Sequence, residues 1–186
     1  MADFQRICLV HYHEIGLKGK NRASFEMRLL KNIESLLRDY PVVTIQRISG
    51  RLCVFLCEGT DLDLHTRVAH FIATVPGVAR VSFGFKCPRS IEDMTAAGIA
   101  AMSESNNFAS FKVAARRNHT DFPVNSMEMN RIIGGALSDA FPQVTPLTEQ
   151  NADEFFSDQT ATMVADVNGI IFGMYILHPN GIGRCA

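Results

Sequence analysis

Several common sequence signals are missing from this chain of 186 residues, and each absence excludes a class of protein. No apolar run approaches the roughly 18 residues that a membrane-spanning helix needs, and the N-terminus lacks the pattern of a signal peptide. The five cysteines are odd in number and include no Cys-x-x-Cys pair, which argues against a disulfide framework and against a zinc site. Together these absences predict a protein of a reducing, cytoplasmic compartment.

Positive charge is scarce in the last third of the chain. Residues 1–117 contain 16 Lys and Arg against 11 Asp and Glu, whereas residues 118–186 contain 2 against 8. The balance is therefore +5 in the first part and −6 in the second, although the net charge is only −1. Such a split indicates a polyanion partner for the basic part, but it is weaker than the strongly basic composition of many nucleic-acid-binding domains.

The first 86 residues contain six segments whose hydrophobic periodicity predicts strands and helices in the order βαββαβ. The predicted strands are 6–13, 42–48, 52–57 and 78–86. The first predicted helix covers 22–39, and the second is capped by Asp61 or Asp63 and ended by Pro76-Gly77. This order is that of the ferredoxin-like motif, in which two helices cover one face of an antiparallel sheet. The apolar helix positions include Leu29, Ile33, Leu36, Leu37, Val68, Phe71 and Ile72.

Capping signals predict a second unit after residue 87. Ser90 and Asp93 have the spacing of a capping box and predict a helix to residue 103, which a strand over 110–115 follows. Asn125 and Glu128 predict another capped helix that ends near residue 141. Residues 142–158 contain four acids and few strong strand formers, so this segment is predicted to be mostly loop.

A glycine pair and a hairpin signal complete the second unit. Gly134-Gly135 lies inside the later helix, where each glycine costs about 1 kcal/mol relative to alanine, so a close approach by another helix or by a ligand is expected there. Residues 161–167 and 170–177 predict a hairpin across the favoured turn Asn168-Gly169. The predicted fold class is α+β, with a ferredoxin-like βαββαβ domain over 1–87, an α/β domain over 88–178 and a Gly-rich linker over 179–186.

The loop over 13–22 is the most informative segment for function. Gly16 and Gly19 allow a sharp backbone turn and the close approach of a ligand, and Asn21 is a good N-cap for the helix that follows. Cations beside the free N–H groups of a helix N-terminus suit phosphate, although a solvated basic turn explains the same residues. A nucleotide-binding P-loop is disfavoured because that motif needs four residues between its glycines and a Ser or Thr after the lysine. The candidate phosphate contacts are Lys18, Lys20, Asn21 and Arg22.

A second group of cations marks the strand-to-helix junction of the second unit. Lys112 lies in the predicted strand, and Arg116, Arg117 and His119 lie at the start of the polar loop after it. Contacts of this kind with RNA phosphates supply salt-dependent affinity with little dependence on base sequence. Phe122, in the same loop, is a candidate for stacking on an unpaired base, but core packing is the favoured role for it.

Signals of catalysis and of metal binding are weak. His11 and His13 share one face of the first strand, but no third ligand is obvious, so a metal site is disfavoured. No Ser-His-Asp arrangement, nucleotide-binding signature or pair of catalytic carboxylates is evident. The residues therefore give no case for catalysis, and no cofactor is predicted for this chain.

Two motifs resemble those of a known family. The run Glu14-Ile-Gly-Leu-Lys-Gly-Lys-Asn-Arg22, followed by Phe25-Glu26, is similar to the N-terminal signature of the tRNA 4-thiouridine synthetases, the ThiI family. The run Phe111-Lys-Val-Ala-Ala-Arg-Arg117, followed by Phe122-Pro123, resembles the core of the THUMP domain, an RNA-binding module. The family usually has a lysine immediately before this Phe-Pro pair, where the present chain has Asp121. The resemblance covers essentially the whole chain.

The resemblance implies the tRNA-recognising part of an ATP-dependent tRNA sulfurtransferase, from a family also linked to thiamine thiazole biosynthesis. A THUMP domain over 88–178 would bind the 3′ CCA end of tRNA, and the ferredoxin-like domain would hold the acceptor stem. The catalytic PP-loop domain, which uses ATP, would follow the linker, since no Ser-Gly-Gly-x-Asp-Ser motif occurs in the chain. A sulfur-donor protein is the further expected partner of the full-length enzyme, and a homodimer stays open.

Two other functions also stay open. THUMP domains occur in other RNA-modifying enzymes such as methyltransferases, and this region would equally suit the N-terminal half of one of those. A ferredoxin-like domain can instead bind a protein or a small ligand, because the fold alone does not determine function. That third possibility predicts no salt-dependent affinity for RNA.

Overall fold

The structure, a computed structural model, describes residues 4–12, 21–48, 51–104, 109–117, 122–147, 160–168, 171–177 and 182–183. The chain divides into two compact units. The N-terminal unit comprises Gln5–Phe83 with Gly181–Ala186, and the central unit comprises Met1–Phe4 with Gly84–Asn180. These units group residues by their contacts and not by chain order, so the division into 1–87, 88–178 and 179–186 stays a prediction.

The order of the elements agrees closely with the order predicted from the sequence. The first elements are β1 (Gln5–Tyr12), α1 (Asn21–Leu36), β2 (Val42–Ile48), β3 (Arg51–Leu56), α2 (Leu62–Ala73) and β4 (Val78–Lys86). They are followed by α3 (Ile91–Ser103), β5 (Ser110–Val113), β6 (Arg116–Arg117), α4 (Ser126–Ala140), β7 (Thr145–Pro146), β8 (Thr160–Asn168), β9 (Ile171–Leu177) and β10 (Ile182–Gly183). The predicted α+β class is confirmed, and no helix in the described ranges is both long and apolar enough to cross a membrane.

The sheet of the N-terminal unit has the strand order β2-β3-β1-β4, which is the order of a ferredoxin-like βαββαβ fold. β3 pairs antiparallel with both β2 and β1, and β10 pairs with β4 at Val81 and Arg80. Residues 7–10 of β1 and 52–56 of β3 are all buried, although successive side chains of a strand point to opposite faces of its sheet. These two strands therefore form the centre of the unit.

Helix α1 packs on this sheet through one face, as its periodicity predicts. Leu29 and Ile33 are buried, and Leu37, just after the helix, is buried with them. The prediction is wrong at Leu36, which is exposed because it lies at the edge of the apolar stripe. Phe71 of α2 is exposed too, and its ring lies 5.4 Å from the ring of Tyr40.

A buried histidine fixes helix α2 against β1. His65 is 1% exposed, and its Nε2 donates to the carbonyl oxygen of Ile7 at 2.9 Å. Its ring meets the ring of Phe83 edge-on at 4.8 Å. Of the two candidate caps, Asp61 is the N-cap, since its Oδ1 accepts from the backbone N–H of Leu64. The helix is thus held by a cap at its start and by a hydrogen bond to the sheet one turn later.

Both predicted caps of the central unit are confirmed. The Ser90 hydroxyl accepts from the backbone N–H of Asp93 at 2.9 Å and donates to its carboxylate at 2.6 Å. The side-chain oxygen of Asn125 accepts from the backbone N–H of Glu128 at 2.9 Å. The bonds from the backbone N–H groups of Asp93 and Glu128 satisfy donors that the first helical turn leaves without a backbone partner. The core between the elements includes Met94, Met102, Phe111, Met129, Ile133 and Leu137.

The strands of the central unit have the order β9-β8-β5-β7, with β6 paired to β8. β5 runs parallel to β8 and to β7, and β8 forms the predicted antiparallel hairpin with β9. Asn168, predicted to lie in the turn, is the last residue of β8 and pairs with Ile171, whereas Gly169 lies outside the described ranges. Residues 148–159 lie outside the described ranges.

The prediction of a close approach at Gly134-Gly135 is wrong for the described residues. A Cβ on Gly134 would lie 3.8 Å from Val113 Cγ2, which is ordinary contact, and a Cβ on Gly135 would meet nothing within 4 Å. Gly77 differs, because its φ is +98° and a Cβ there would lie 2.9 Å from Phe25 Cζ. Among the described residues, no contact requires glycine at these two helix positions, whereas Gly77 permits a turn that other residues resist. The approach of a ligand to the glycine pair stays a prediction.

We expect Gly135→Ala to raise the free energy of unfolding by about 1 kcal/mol, because alanine restricts the unfolded chain and favours the helix. Gly77→Ala is the matched control and should lower it. Urea denaturation followed by circular dichroism measures both. A loss of stability in Gly135→Ala would show that this glycine has a packing role.

Candidate nucleic-acid interface

Of the four predicted phosphate contacts in the N-terminal unit, the structure describes two, Asn21 and Arg22. Lys18 and Lys20 fall outside the described ranges. Asn21, predicted as an N-cap, is the exposed first residue of α1. Arg22 is half-buried and forms an ion pair with Glu26 one turn later in the helix. Because Arg22 lies off the apolar stripe of α1, its side chain is expected to be exposed. The ion pair with Glu26 explains why the residue is half-buried instead.

Glu26 is a buried carboxylate that accepts three hydrogen bonds from three different elements. Its Oε1 accepts from the hydroxyl of Tyr12 at 2.6 Å and from Arg22 Nε at 2.9 Å. Its Oε2 accepts from Arg47 Nη1, also at 2.9 Å. Glu26 is 5% exposed, so it needs such partners to remain charged inside the protein. The three bonds join the end of β1, the start of α1 and the end of β2.

The charge state of Glu26 follows from two opposing effects. Burial raises the pKa of its carboxyl, but the hydrogen bonds from Arg22, Tyr12 and Arg47 outweigh burial and hold the pKa below its ordinary value. Burial and the hydrogen bond to Glu26 raise the pKa of Tyr12 to about 12. At neutral pH the group is therefore one carboxylate, one neutral phenol and two guanidinium cations.

The same network includes residues on both sides of segment 13–20 in the sequence. Tyr12 is the last residue of β1 and Arg22 the second residue of α1, so they flank segment 13–20. Both donate to the same oxygen of Glu26. The side chains of Arg22 and Arg47 remain 42% and 55% exposed, respectively. A buried anion thus orients two cations that are both partly exposed to solvent.

The predicted contacts of the central unit lie on adjacent strand segments. Lys112 is half-buried in β5, and Arg116 and Arg117 form β6, which runs parallel to β8. The prediction of a loop at the two arginines is therefore wrong at the level of the backbone. The backbone N–H of Ala115 donates to the side chain of Asn130 at 2.7 Å, which connects this segment to α4. His119 lies outside the described ranges.

A groove of about 440 Å³ opens beside the start of α3. The Arg89 guanidinium carbon lies 5.4 Å from the centre of the Phe122 ring, and Phe122 is 4% exposed. Core packing is thus confirmed as the role of Phe122, although its ring also forms a wall of the groove. The lining residues are Arg89, Ser90, Ile91, Glu92, Phe122, Pro123 and Val124.

The remaining residues with possible chemistry are two histidines and two cysteines. His11 Nε2 lies 3.2 Å from the Ser82 hydroxyl, and His13 lies outside the described ranges. Within those ranges, no group of three or more His, Cys, Asp or Glu side chains could hold a metal ion. Burial raises the pKa of the Cys8 thiol, and burial with the nearby Asp93 raises that of Cys87 to about 12. Neither cysteine is therefore an activated nucleophile.

Sequence reasoning missed Tyr12, Glu26 and Arg47 as members of one cluster. The Arg22 and Glu26 spacing is a local signal, since residues four apart are neighbours on a helix. Arg47 is 21 positions from Glu26, and no local pattern connects the two. Their contact becomes visible only when β2 and α1 are placed side by side.

Two known domain families match the chain in succession. Residues 7–82 match the ThiI ferredoxin-like domain, and residues 88–155 match the THUMP domain. The chain belongs to the ThiI family. The matches confirm the resemblance of both sequence motifs, and they identify the central unit as the one that contains the THUMP domain.

Curated relatives of this chain are named as probable tRNA sulfurtransferases. A probable tRNA sulfurtransferase of Natranaerobius thermophilus is 37% identical over 140 residues, which are 72% of this chain and 33% of that protein. A probable tRNA sulfurtransferase of Lachnospira eligens is 35% identical over 143 residues, which are 73% of this chain and 35% of that protein. The match thus spans about one third of the length of these relatives.

Solved structures confirm the fold. A 4-thiouridine synthetase, crystallised with RNA and ATP, superposes with a TM-score of 0.70 at 24% identity, over 93% of this chain and 40% of that one. PH1313 from Pyrococcus horikoshii superposes with a TM-score of 0.68 at 20% identity, over 92% of this chain and 53% of that one. The ferredoxin-like and THUMP folds of the ThiI family are therefore both present.

We expect Glu26→Gln to lower the free energy of unfolding by about 2 kcal/mol at pH 7, because charged hydrogen bonds to both arginines are lost. The folded-state pKa of Glu26 is lowered, so its contribution is complete above the ordinary glutamate pKa and is lost as pH falls through the lower folded value. The difference between the two proteins should therefore shrink in acid. Urea denaturation at a series of pH values measures it.

Glu34→Gln is the matched control, since Glu34 is exposed on the same helix. Its effect should stay within about 0.5 kcal/mol at every pH. A Glu26→Gln difference that did not change with pH would contradict the lowered pKa.

Proposed function

We propose that this chain is the tRNA-binding N-terminal part of a tRNA sulfurtransferase that makes 4-thiouridine. The observation that carries the proposal is the succession of a ThiI ferredoxin-like domain and a THUMP domain in one chain. The matched relatives are named tRNA sulfurtransferase, and a 4-thiouridine synthetase of the same fold has been crystallised with RNA.

The two units would contact different parts of the tRNA. We assign the unpaired 3′ CCA end to the THUMP domain, whose Lys112, Arg116 and Arg117 supply cations for phosphates. The groove beside Arg89 and Phe122 adds a cation and an aromatic wall, which suit an unpaired nucleotide. We assign the acceptor stem to the ferredoxin-like unit, where the cations of the basic loop and Arg22 would contact duplex phosphates.

Catalysis belongs to the remainder of such an enzyme. The chain matches about one third of the length of its curated relatives. A PP-loop domain would bind ATP and activate the uridine, and a sulfur-donor protein would supply the sulfur. On this proposal the present chain recognises the tRNA in the cytoplasm and holds it for the catalytic domain. A homodimer is one arrangement of the whole enzyme.

The ferredoxin-like match favours the sulfurtransferase over the alternatives. A THUMP domain alone would fit an RNA methyltransferase equally well, but residues 7–82 match the ThiI ferredoxin-like domain specifically. The same match argues against an interaction domain without RNA binding. We therefore keep the sulfurtransferase as the proposed function.

Titration of this chain with an unmodified tRNA transcript, at several salt concentrations, tests the proposal. Affinity should fall as salt rises, because bound phosphates release counterions. Trimming the CCA end should weaken binding, and the Arg116→Ala/Arg117→Ala variant should be insensitive to that trimming. A matched variant, Arg28→Ala, removes an exposed cation of α1 and should retain the sensitivity.

Absence of binding at low salt would overturn RNA recognition by this chain. Equal affinity for the intact and trimmed transcripts would overturn the assignment of the CCA end while leaving tRNA binding in place. Circular dichroism of each variant establishes that it is folded.

A further inference from the structure

We propose that Glu26 is a positioning residue that holds Arg22 and Arg47 as a paired contact for the phosphate backbone of RNA. We call these three residues the arginine clamp. The inference rests on the proposed function, and it adds Arg47 as a binding residue and Glu26 as the group that orients both arginines.

The geometry of the clamp is set by a single carboxylate. Arg22 Nε and Arg47 Nη1 each lie 2.9 Å from a different oxygen of Glu26. The two arginines come from different elements, the first turn of α1 and the edge strand β2. Because both bonds end on one buried group, the two guanidinium groups are held close together in spite of their like charge.

The clamp keeps a positive charge at the surface. Arg47 uses one of its five N–H groups on Glu26, and its side chain is 55% exposed. A planar guanidinium that is already oriented loses less rotamer entropy when it binds a phosphate than a mobile one does. The arrangement therefore suits an anion with several acceptor oxygens.

Stability alone is a weak reason for this arrangement. A buried ion pair contributes little net stability relative to an apolar replacement, since desolvation opposes the attraction. Orientation of two exposed cations is a consequence that an apolar replacement cannot provide.

The RNA backbone is the anion that the surroundings favour. The segment next to Arg22 contains Lys18 and Lys20, so the sequence places three cations at one junction, to which the fold adds Arg47. A duplex presents regularly spaced phosphates to such a surface. Recognition would be independent of base sequence and sensitive to salt.

The test measures binding of a short blunt-ended RNA duplex by fluorescence anisotropy at several salt concentrations. We expect Arg47→Gln to weaken binding about fivefold at low salt and to reduce the salt slope by about one unit, as loss of one phosphate contact does. Arg28→Gln is the matched control, because it removes the same charge from an exposed position of α1. Arg28→Gln should change the affinity and the salt slope less than Arg47→Gln does.

The Glu26→Gln variant distinguishes the loss of arginine orientation from the simple removal of one negative charge. Removal of a nearby negative charge alone would strengthen binding to RNA, whereas loss of positioning weakens it. We expect weaker binding, with a larger loss than in Glu34→Gln, at a temperature where urea denaturation shows both variants to be folded. Tighter binding by Glu26→Gln would overturn the role of Glu26.

The outcomes separate the clamp from the proposed function. If the unaltered chain binds RNA and Arg47→Gln behaves like Arg28→Gln, the clamp is wrong and tRNA binding stands. If the unaltered chain binds neither the duplex nor a tRNA transcript at low salt, the proposed function and the clamp both fail.

Discussion

The need to stabilise one buried carboxylate organises one end of the N-terminal unit. Glu26 is almost fully buried, so its charged form needs hydrogen-bonding partners inside the protein. Tyr12, Arg22 and Arg47 meet that need from three elements. The end of β1, the start of α1 and the end of β2 are thereby fixed to one point.

The elements of the central unit are held mainly by capping hydrogen bonds and by apolar packing. Its helices begin at side-chain caps, and its core consists largely of methionine, leucine, isoleucine and phenylalanine side chains. Ala115 is tied to α4 through Asn130, which places the strand with the two arginines at a fixed distance from that helix. The backbone that carries the cations is thus held by hydrogen bonding here and by a buried anion in the N-terminal unit.

Much of the fold could be predicted from the sequence because its signals are local. Caps such as Ser90 and Asn125, and the βαββαβ order, depend on residues a few positions apart. The contact between Glu26 and Arg47 could not be predicted, since it joins residues 21 positions apart on different elements. Leu36 and Phe71 show the same limit, because periodicity identifies an apolar face but not how far its neighbours cover it.

The pairing of β5 with β8 has a consequence for synthesis on the ribosome. Ser110 in β5 pairs with Thr160 in β8, so about fifty residues must follow β5 before its partner exists. Until then one side of β5 has no strand beside it, and the apolar face of α4 has an incomplete sheet to cover. During translation the sheet of the central unit is therefore completed late, whereas most of the N-terminal unit can form early.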